Sequence, residues 1–264
     1  MKRILAITFW IIIVAGVSSL FIFANKKQDK LICPKFQIDV IYDDAPVLVT
    51  QGNFRQQITQ NKIKVRGQEI GQIEVEKIQK ILTDNPFVKT ASITIGVNGL
   101  VKATIRQRNP VVRVIDMKDF QFYIDEEGYL MPLSLEFPAR VIIASGKIKP
   151  VGKINKDFKN DAEQVQYKKL PADLQKIYVA AMAVRKDAFC NSLIEQLVLN
   201  EAGEIELFPK IGQQSIILGD TTQITEKLDN LKVFYTDGMK KTGWNTYKTI
   251  NLKFRAQIVC TKTK

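Results

Sequence analysis

The chain has 264 residues, with 39 Lys and Arg against 27 Asp and Glu, a net charge of +12, three cysteines and no histidine. Without histidine there is no Ser-His-Asp or Cys-His pair, no imidazole base near neutral pH and no His-ligated zinc. Cys33, Cys190 and Cys260 lie too far apart in sequence for a Cys-only metal site. With 45% hydrophobic residues the chain can bury real cores, which excludes disorder as its main state, and its charge points to acidic partners: anionic lipid headgroups, nucleic acid or an acidic protein face.

Ile4 to Ala24 is a run of 21 residues without a charge. At about 1.5 Å per residue it matches the roughly 30 Å hydrocarbon core of a bilayer. A cleaved signal peptide has a shorter apolar core and a small-x-small exit, whereas Ile22-Phe23-Ala24 is bulky. The expectation is a retained signal anchor over residues 4–24, behind a cytoplasmic tail of residues 1–3 and before a polar linker of residues 25–35 that contains Pro34. Lys2 and Arg3 nearly balance Lys26, Lys27 and Lys30, so orientation rests on mass: three residues precede the span and 240 follow it. A domain outside the cytoplasm turns the expected acidic partner from nucleic acid to lipid headgroups or protein.

Beyond the linker, Phe36 to Tyr42 alternates apolar and polar residues as a strand does, and Asp43-Asp44-Ala45-Pro46 breaks it. A weakly amphipathic segment follows over Asn53–Gln60. Val75, Ile78, Ile81 and Leu82 then share one helical face, with Glu74, Glu76, Lys77 and Lys80 outside, until Thr83-Asp84-Asn85-Pro86 stops the helix. From there the period becomes two. Ala91, Ile93, Ile95 and Val97 alternate with polar or small residues, Asn98-Gly99 reads as a type I′ turn, and Val101, Ala103 and Ile105 return as a second strand. Residues 36–109 thus form a small α/β sandwich whose first strand can pair with the hairpin, leaving helices on one face.

Pro110 marks the start of a second domain, residues 110–264. Strands are expected over Val111–Met117, Phe120–Ile124 and Tyr129–Leu133, the last two joined by an Asp125-Glu126-Glu127-Gly128 turn. Residues 145–169 are polar and Lys-rich and read as a solvated loop rather than a binding patch. Leu170-Pro171 opens a helix to about Phe189, with Leu174, Ile177, Tyr178, Ala181, Met182 and Val184 inward. Strands over Leu193–Leu199, Glu204–Phe208 and Ser215–Leu218, a helix around Thr225–Tyr235 and a final strand from about Tyr247 to Cys260 complete the pattern. The fold class is α+β: one transmembrane helix, an α/β unit, then a mostly antiparallel β domain with helices.

Nothing in this pattern supports catalysis. Lys241-Thr242-Gly243 spells the KTG of penicillin-binding enzymes, yet no serine has a lysine three residues on, as the nucleophile motif requires. Asp125-Glu126-Glu127 reads as a turn before it reads as an acid/base or cation site. No phosphate-binding glycine loop is present. The cysteines fit either buried apolar positions or one disulfide with a free thiol. No cofactor, metal or small-molecule substrate is expected.

Four stretches, in order, carry a resemblance. Ile73–Arg113 (IEVEKIQKILTDNPFVKTASITIGVNGLVKATIRQRNPVVR) is a helix, an N-P-F-V break, a hairpin and an R-x-P exit; Phe122–Ser134 (FYIDEEGYLMPLS) holds a Y-x-D-x-x-G turn. Ile216–Leu231 (IILGDTTQITEKLDNL) and Thr249–Val259 (TINLKFRAQIV) follow. Together with a short basic tail and one span, this layout resembles the FtsQ/DivIB cell-division proteins, with a POTRA domain over residues 36–109, along nearly the whole chain. Asn251 stands where that family usually has Asp, and Lys253-Phe254 where it has Arg-Tyr.

The resemblance implies a non-catalytic, single-pass type II divisome scaffold of the inner (plasma) membrane, with its C-terminal domain in the periplasm at the division septum. Its implied partners are FtsB-like and FtsL-like single-span proteins. Carried over by position, the partner-binding edge strand is Lys253, Phe254, Arg255, Ala256, Gln257, Ile258 and Val259, whose unpaired backbone groups would accept an incoming strand. POTRA units also occur in outer-membrane assembly and secretion proteins, usually repeated before a long barrel, so an envelope transport or assembly module is the alternative.

Overall fold

The computed structural model of the chain describes residues 9–19, 29–134, 136–151, 170–244, 246–255 and 257–263. Residues 9–19 form helix α1, with its side chains exposed. The span expected over Ile4–Ala24 continues on both sides into residues outside the described set. Among the described residues no helix is long and apolar enough to cross a membrane. Most of the Lys-rich stretch, residues 152–169, likewise lies outside the described residues.

The chain divides into two compact units: Met1–Ile41, Thr50–Thr83 and Val88–Arg106 form one; Tyr42–Val49, Asp84–Phe87 and Gln107–Lys264 form the other. In the first, strand β1 (Phe36–Ile41) leads to helix α2 (Gln51–Gln60), a 3-10 turn (Ile70–Gln72), helix α3 (Val75–Thr83), and strands β2 (Val88–Ile95) and β3 (Val101–Gln107). The sheet order is β1-β3-β2, with β1 parallel to β3 from Phe36↔Val101 to Ile41↔Arg106. Asn53 Oδ1 reaches back to accept the Thr50 N–H at 2.7 Å, which starts α2. Phe54, Ile58, Ile78 and Leu82 are buried, as the 3.6 period requires, and Gln57 Nε2 donates to Ile81 O at 2.9 Å between the helices.

The hairpin differs from the expected type I′ turn. Gly99 N–H donates to Gly96 O at 2.9 Å and Gly96 N–H to Leu100 O at 2.8 Å, and Gly99 alone takes a positive φ, 77°. Val97 and Asn98 are therefore the turn's central residues and Gly99 the left-handed residue that follows, the three-residue loop next in preference to the two-residue kind.

The second unit is built on a nine-stranded sheet in the order β12-β11-β10-β9-β8-β7-β4-β5-β6. Its strands are β4 (Pro110–Ile115), β5 (Gln121–Asp125), β6 (Leu130–Met131), β7 (Ile142–Gly146), β8 (Ile194–Leu199), β9 (Ile205–Pro209), β10 (Ser215–Gly219), β11 (Tyr247–Asn251) and β12 (Val259–Lys262). The sheet is mixed: β4 with β7, β7 with β8 and β10 with β11 run parallel, and the other neighbours antiparallel. Parallel neighbours need crossovers: β5 and β6 lie between β4 and β7 in the chain, and helices supply the other two. Helices α4 (Ala172–Lys186) and α5 (Ala188–Leu193) lie between β7 and β8 in the chain. Helix α6 (Ile224–Val233), a π turn (Phe234–Gly238) and helix α7 (Met239–Thr242) lie between β10 and β11.

The main core packs Leu174, Ile177, Ala181 and Val184 of α4 and Leu228 and Leu231 of α6 against Val112, Ala144, Leu197, Leu207 and Ile216 of the sheet. Met182, expected inward, is partly buried against it. A smaller cluster forms around Leu48, Tyr123 and Met131. Segment 42–49 is held there because Gln107 Oε1 accepts the Leu48 N–H at 2.8 Å and Gln107 Nε2 donates to Pro46 O at 2.9 Å.

Strand β7 closes on β8 at a point that admits only glycine. Gly146 has φ 101°, and a Cβ there would overlap Leu199 O and meet Leu199 N at 3.0 Å. Gly146→Ala is expected to cost about 2–3 kcal/mol, read as a lower denaturation midpoint. Gly203→Ala, also at positive φ but meeting only the flexible end of Lys176, is expected to cost clearly less. Losses of equal size would show that contact with Leu199 is not what excludes a side chain.

Candidate functional site

The sheet ends at β12, which pairs on one side with β11 through Asn251↔Val259, Ile250↔Cys260 and Thr249↔Thr261. Thr263 N–H continues the ladder to Thr246 O at 3.0 Å. Alternation along the strand therefore turns the backbone groups of Cys260 and Lys262 outward. Among the described residues that outer edge has no strand beside it.

The continuous strand expected from Tyr247 to Cys260 is corrected to a hairpin, and with it the strand expected over Lys253–Val259. Of those seven residues Val259 alone is in a strand; Lys253, Phe254, Arg255, Gln257 and Ile258 belong to the connection, and Ala256 lies outside the described residues. The break has a local cause. Asn251 Oδ1 accepts the Lys253 N–H at 3.0 Å, a side-chain turn that an Asp at this position would make equally. Leu252 N–H turns to Ile217 O at 2.9 Å and its side chain is buried. The Lys253 side chain crosses over Gly219, where a Cβ would meet Lys253 Cγ at 2.7 Å, and its Nζ ends 2.6 Å from Glu204 Oε1. Lys253 is thus engaged within the unit. Phe254 is 47% exposed, Arg255 and Val259 are exposed, and Ile258 packs against the core. Trp244, also exposed, lies edge-on to buried Tyr235 at 5.9 Å.

A second constellation is not apparent from the sequence. Arg108 Nη1 lies 2.8 Å from Asp125 Oδ2, with side chains only 6% and 2% exposed, and 3.4 Å from Glu127 Oε2. The guanidinium also lies 4.3 Å from the centre of the Tyr129 ring. Asp125 Oδ1 accepts the N–H groups of Glu127 at 2.9 Å and Tyr129 at 2.8 Å, and Tyr178 Oη donates to Glu126 O at 2.7 Å. Burial pushes the Asp125 carboxyl up, against the pull of Arg108 and the two N–H groups. The acidic tripeptide is therefore a turn organised around a buried ion pair, and the R-x-P and Y-x-D-x-x-G motifs are two halves of one structure.

The remaining chemistry is structural. Lys241-Thr242-Gly243 closes α7, with Gly243 at φ 89° and its N–H on Met239 O at 2.8 Å. All three cysteines are free thiols, Cys33 and Cys190 buried and Cys260 half-buried. Burial, with Asp187 beside it, pushes the Cys190 thiol up to about 12. A thiol reagent at neutral pH is expected to modify Cys260 in the folded chain and Cys190 only on unfolding; equal rates at both would contradict this packing. Among the described residues no group of His, Cys, Asp or Glu could hold a metal ion.

A small parallel-and-antiparallel α/β sandwich followed by a large mixed sheet with helical crossovers defines a POTRA-bearing, two-unit α+β protein. Residues 31–106 match the POTRA-like domain, and residues 109–261 match the family described as FtsQ/DivIB, C-terminal related. The chain belongs to the FtsQ/DivIB family and carries a POTRA domain. That family acts in cell division through division-complex proteins and is generally non-catalytic. No curated protein matches the chain.

Proposed function

We propose that this protein is a non-catalytic divisome scaffold, anchored by one N-terminal span, whose extracytoplasmic second unit recruits FtsB-like and FtsL-like single-span partners. The observation that carries this reading is the outer edge of β12, which among the described residues has no strand beside it. A partner segment laid along it gains a ladder with Cys260 and Lys262 and apolar contact with Val259 on the strand, and Phe254 is an exposed aromatic side chain on the connection that leads to it. Aromatic side chains with large exposed area are the usual anchors of such interfaces. The uncharged run over residues 4–24, with nearly all of the chain's mass beyond it, supports an inner-membrane type II protein with a periplasmic C-terminal domain.

A fluorescent fusion to the full chain in living cells tests the cellular role. The expected result is a midcell band that appears before constriction. An even rim around the cell contradicts the reading and returns attention to envelope transport.

A further inference from the structure

The part of the first unit that follows the proposed span in the chain is assembled from three chain segments. Leu31–Cys33 is held on one side by Gly67–Ile70: Gly67 N–H donates to Cys33 O at 2.9 Å, Cys33 N–H to Gln68 O at 2.8 Å and Ile70 N–H to Leu31 O at 2.9 Å. On the other side sits the tip of the β2–β3 hairpin. A Cβ on Gly99 would lie 3.3 Å from Ile32 O and 3.7 Å from Leu31 Cβ.

These segments expose apolar groups, and the residues that lead into two of them, Lys30 and Lys62 to Arg66, bring basic ones. Ile32 is 64% and Val97 89% exposed, and Leu31 is exposed beside them. Lys30, Lys62, Lys64 and Arg66 are all exposed. Lys64 and Arg66 alternate with half-buried Ile63 and buried Val65, so packing turns the cations out. From Val47 to Gln68 the chain carries four cations and no carboxylate; Asp29 and Glu69 are the acids near this end. Single exposed apolar residues are ordinary. Three brought together by these contacts and flanked in the chain by cations are the combination that dips into a headgroup layer and is attracted by its charge.

Covalent reach keeps this end within range of a membrane. Leu31 stands seven positions beyond Ala24, the end of the proposed span. Fully extended, that stretch covers about 25 Å, of which the headgroup layer takes roughly 5–8 Å.

We infer that this end of the first unit, formed by Leu31, Ile32, Val97 and the cations Lys62, Lys64 and Arg66, is a membrane-contact face for anionic lipid headgroups. The inference rests on the anchored reading above. The occupant is a bilayer surface rather than a protein groove partner because the apolar residues converge on the first stretch of described chain that follows the proposed span, with cations flanking them in the chain.

The test uses the full chain in nanodiscs of phosphatidylcholine alone or of phosphatidylcholine with phosphatidylglycerol. Val97→Cys in a Cys260→Ser background carries a fluorophore, Cys33 and Cys190 being buried, and a nitroxide headgroup lipid serves as quencher. The expected result is stronger quenching in the anionic discs, reversed by high salt. Lys62→Gln, Lys64→Gln and Arg66→Gln together are expected to lower the docked-to-undocked ratio roughly a hundredfold, about a factor of five per cation. Lys77→Gln, Lys80→Gln and Lys89→Gln, an equal charge change elsewhere on the unit, are expected to leave it unchanged. Equal quenching in both disc types, or equal loss with both triple variants, overturns the inference. If a triple variant misfolds, the salt response of the chain with its native cations decides: quenching in anionic discs that high salt leaves intact overturns the inference. A chain that fails to enter the discs overturns the anchor and this inference with it; one that enters and shows no lipid dependence overturns this inference alone.

Discussion

Asp125→Ala is expected to lower the stability of the second unit by about 3–5 kcal/mol, because it leaves the Arg108 guanidinium buried without its main counter-charge. The same substitution strips the N–H groups of Glu127 and Tyr129 of their acceptor and loosens the turn that Tyr178 bonds to. Glu127→Ala is the control. That side chain is 38% exposed and sits farther from Arg108, so its loss is expected to cost no more than about 1 kcal/mol. Urea denaturation of both variants decides the matter. Losses of similar size would mean that Arg108 is satisfied by either carboxylate and that the buried pair does not organise the turn.

Lys262→Pro is expected to abolish partner binding while leaving the fold unchanged. Its N–H points away from β11, so proline removes no bond of the hairpin, and edge strands tolerate proline with that orientation. An incoming strand, however, loses a donor and meets the ring. Thr261→Pro is the opposing control: its N–H faces β11, and the expected result is a destabilised hairpin. Affinity of the full chain for its co-purified partner, measured beside thermal unfolding, separates the two. Unchanged affinity with Lys262→Pro would take the edge of β12 out of the interface. Phe254→Asp is expected to weaken binding less, since Phe254 lies on the connection and not on the edge that forms the ladder.

Helix α3 and strands β2 and β3 are legible in the sequence because each has one buried face, and burial on one face writes a clean 3.6 or 2.0 period. Strand β7 is not. It runs as Ile142-Ile143-Ala144-Ser145-Gly146 between β4 and β8, and a short run in mid-sheet carries no alternation to read. The hairpin turn differs in type from its sequence signal because Asn98-Gly99 suits both a two-residue turn and the glycine that follows a three-residue one. The final strand is shorter than its pattern suggests for a related reason. Apolar residues recur from Ile250 through Ile258 and Val259, while the stop is written by the Asn251 side chain and by Lys253 crossing Gly219, neither of which is a period. The Arg108–Asp125 pair lies in two motifs 17 residues apart. Each motif is visible in the sequence, but only the antiparallel pairing of β4 with β5 brings them together.

Photocrosslinking in living cells from an unnatural side chain placed at Lys262, with the captured protein identified by mass spectrometry, puts the role of the β12 edge to its sharpest test. The expected capture is a small single-span division protein, held through its extracytoplasmic segment, lost on Cys260→Pro and reduced on Phe254→Asp. Capture of outer-membrane barrel clients instead, or labelling no stronger than from exposed Lys240 of α7, would contradict the claim that this edge recruits division partners.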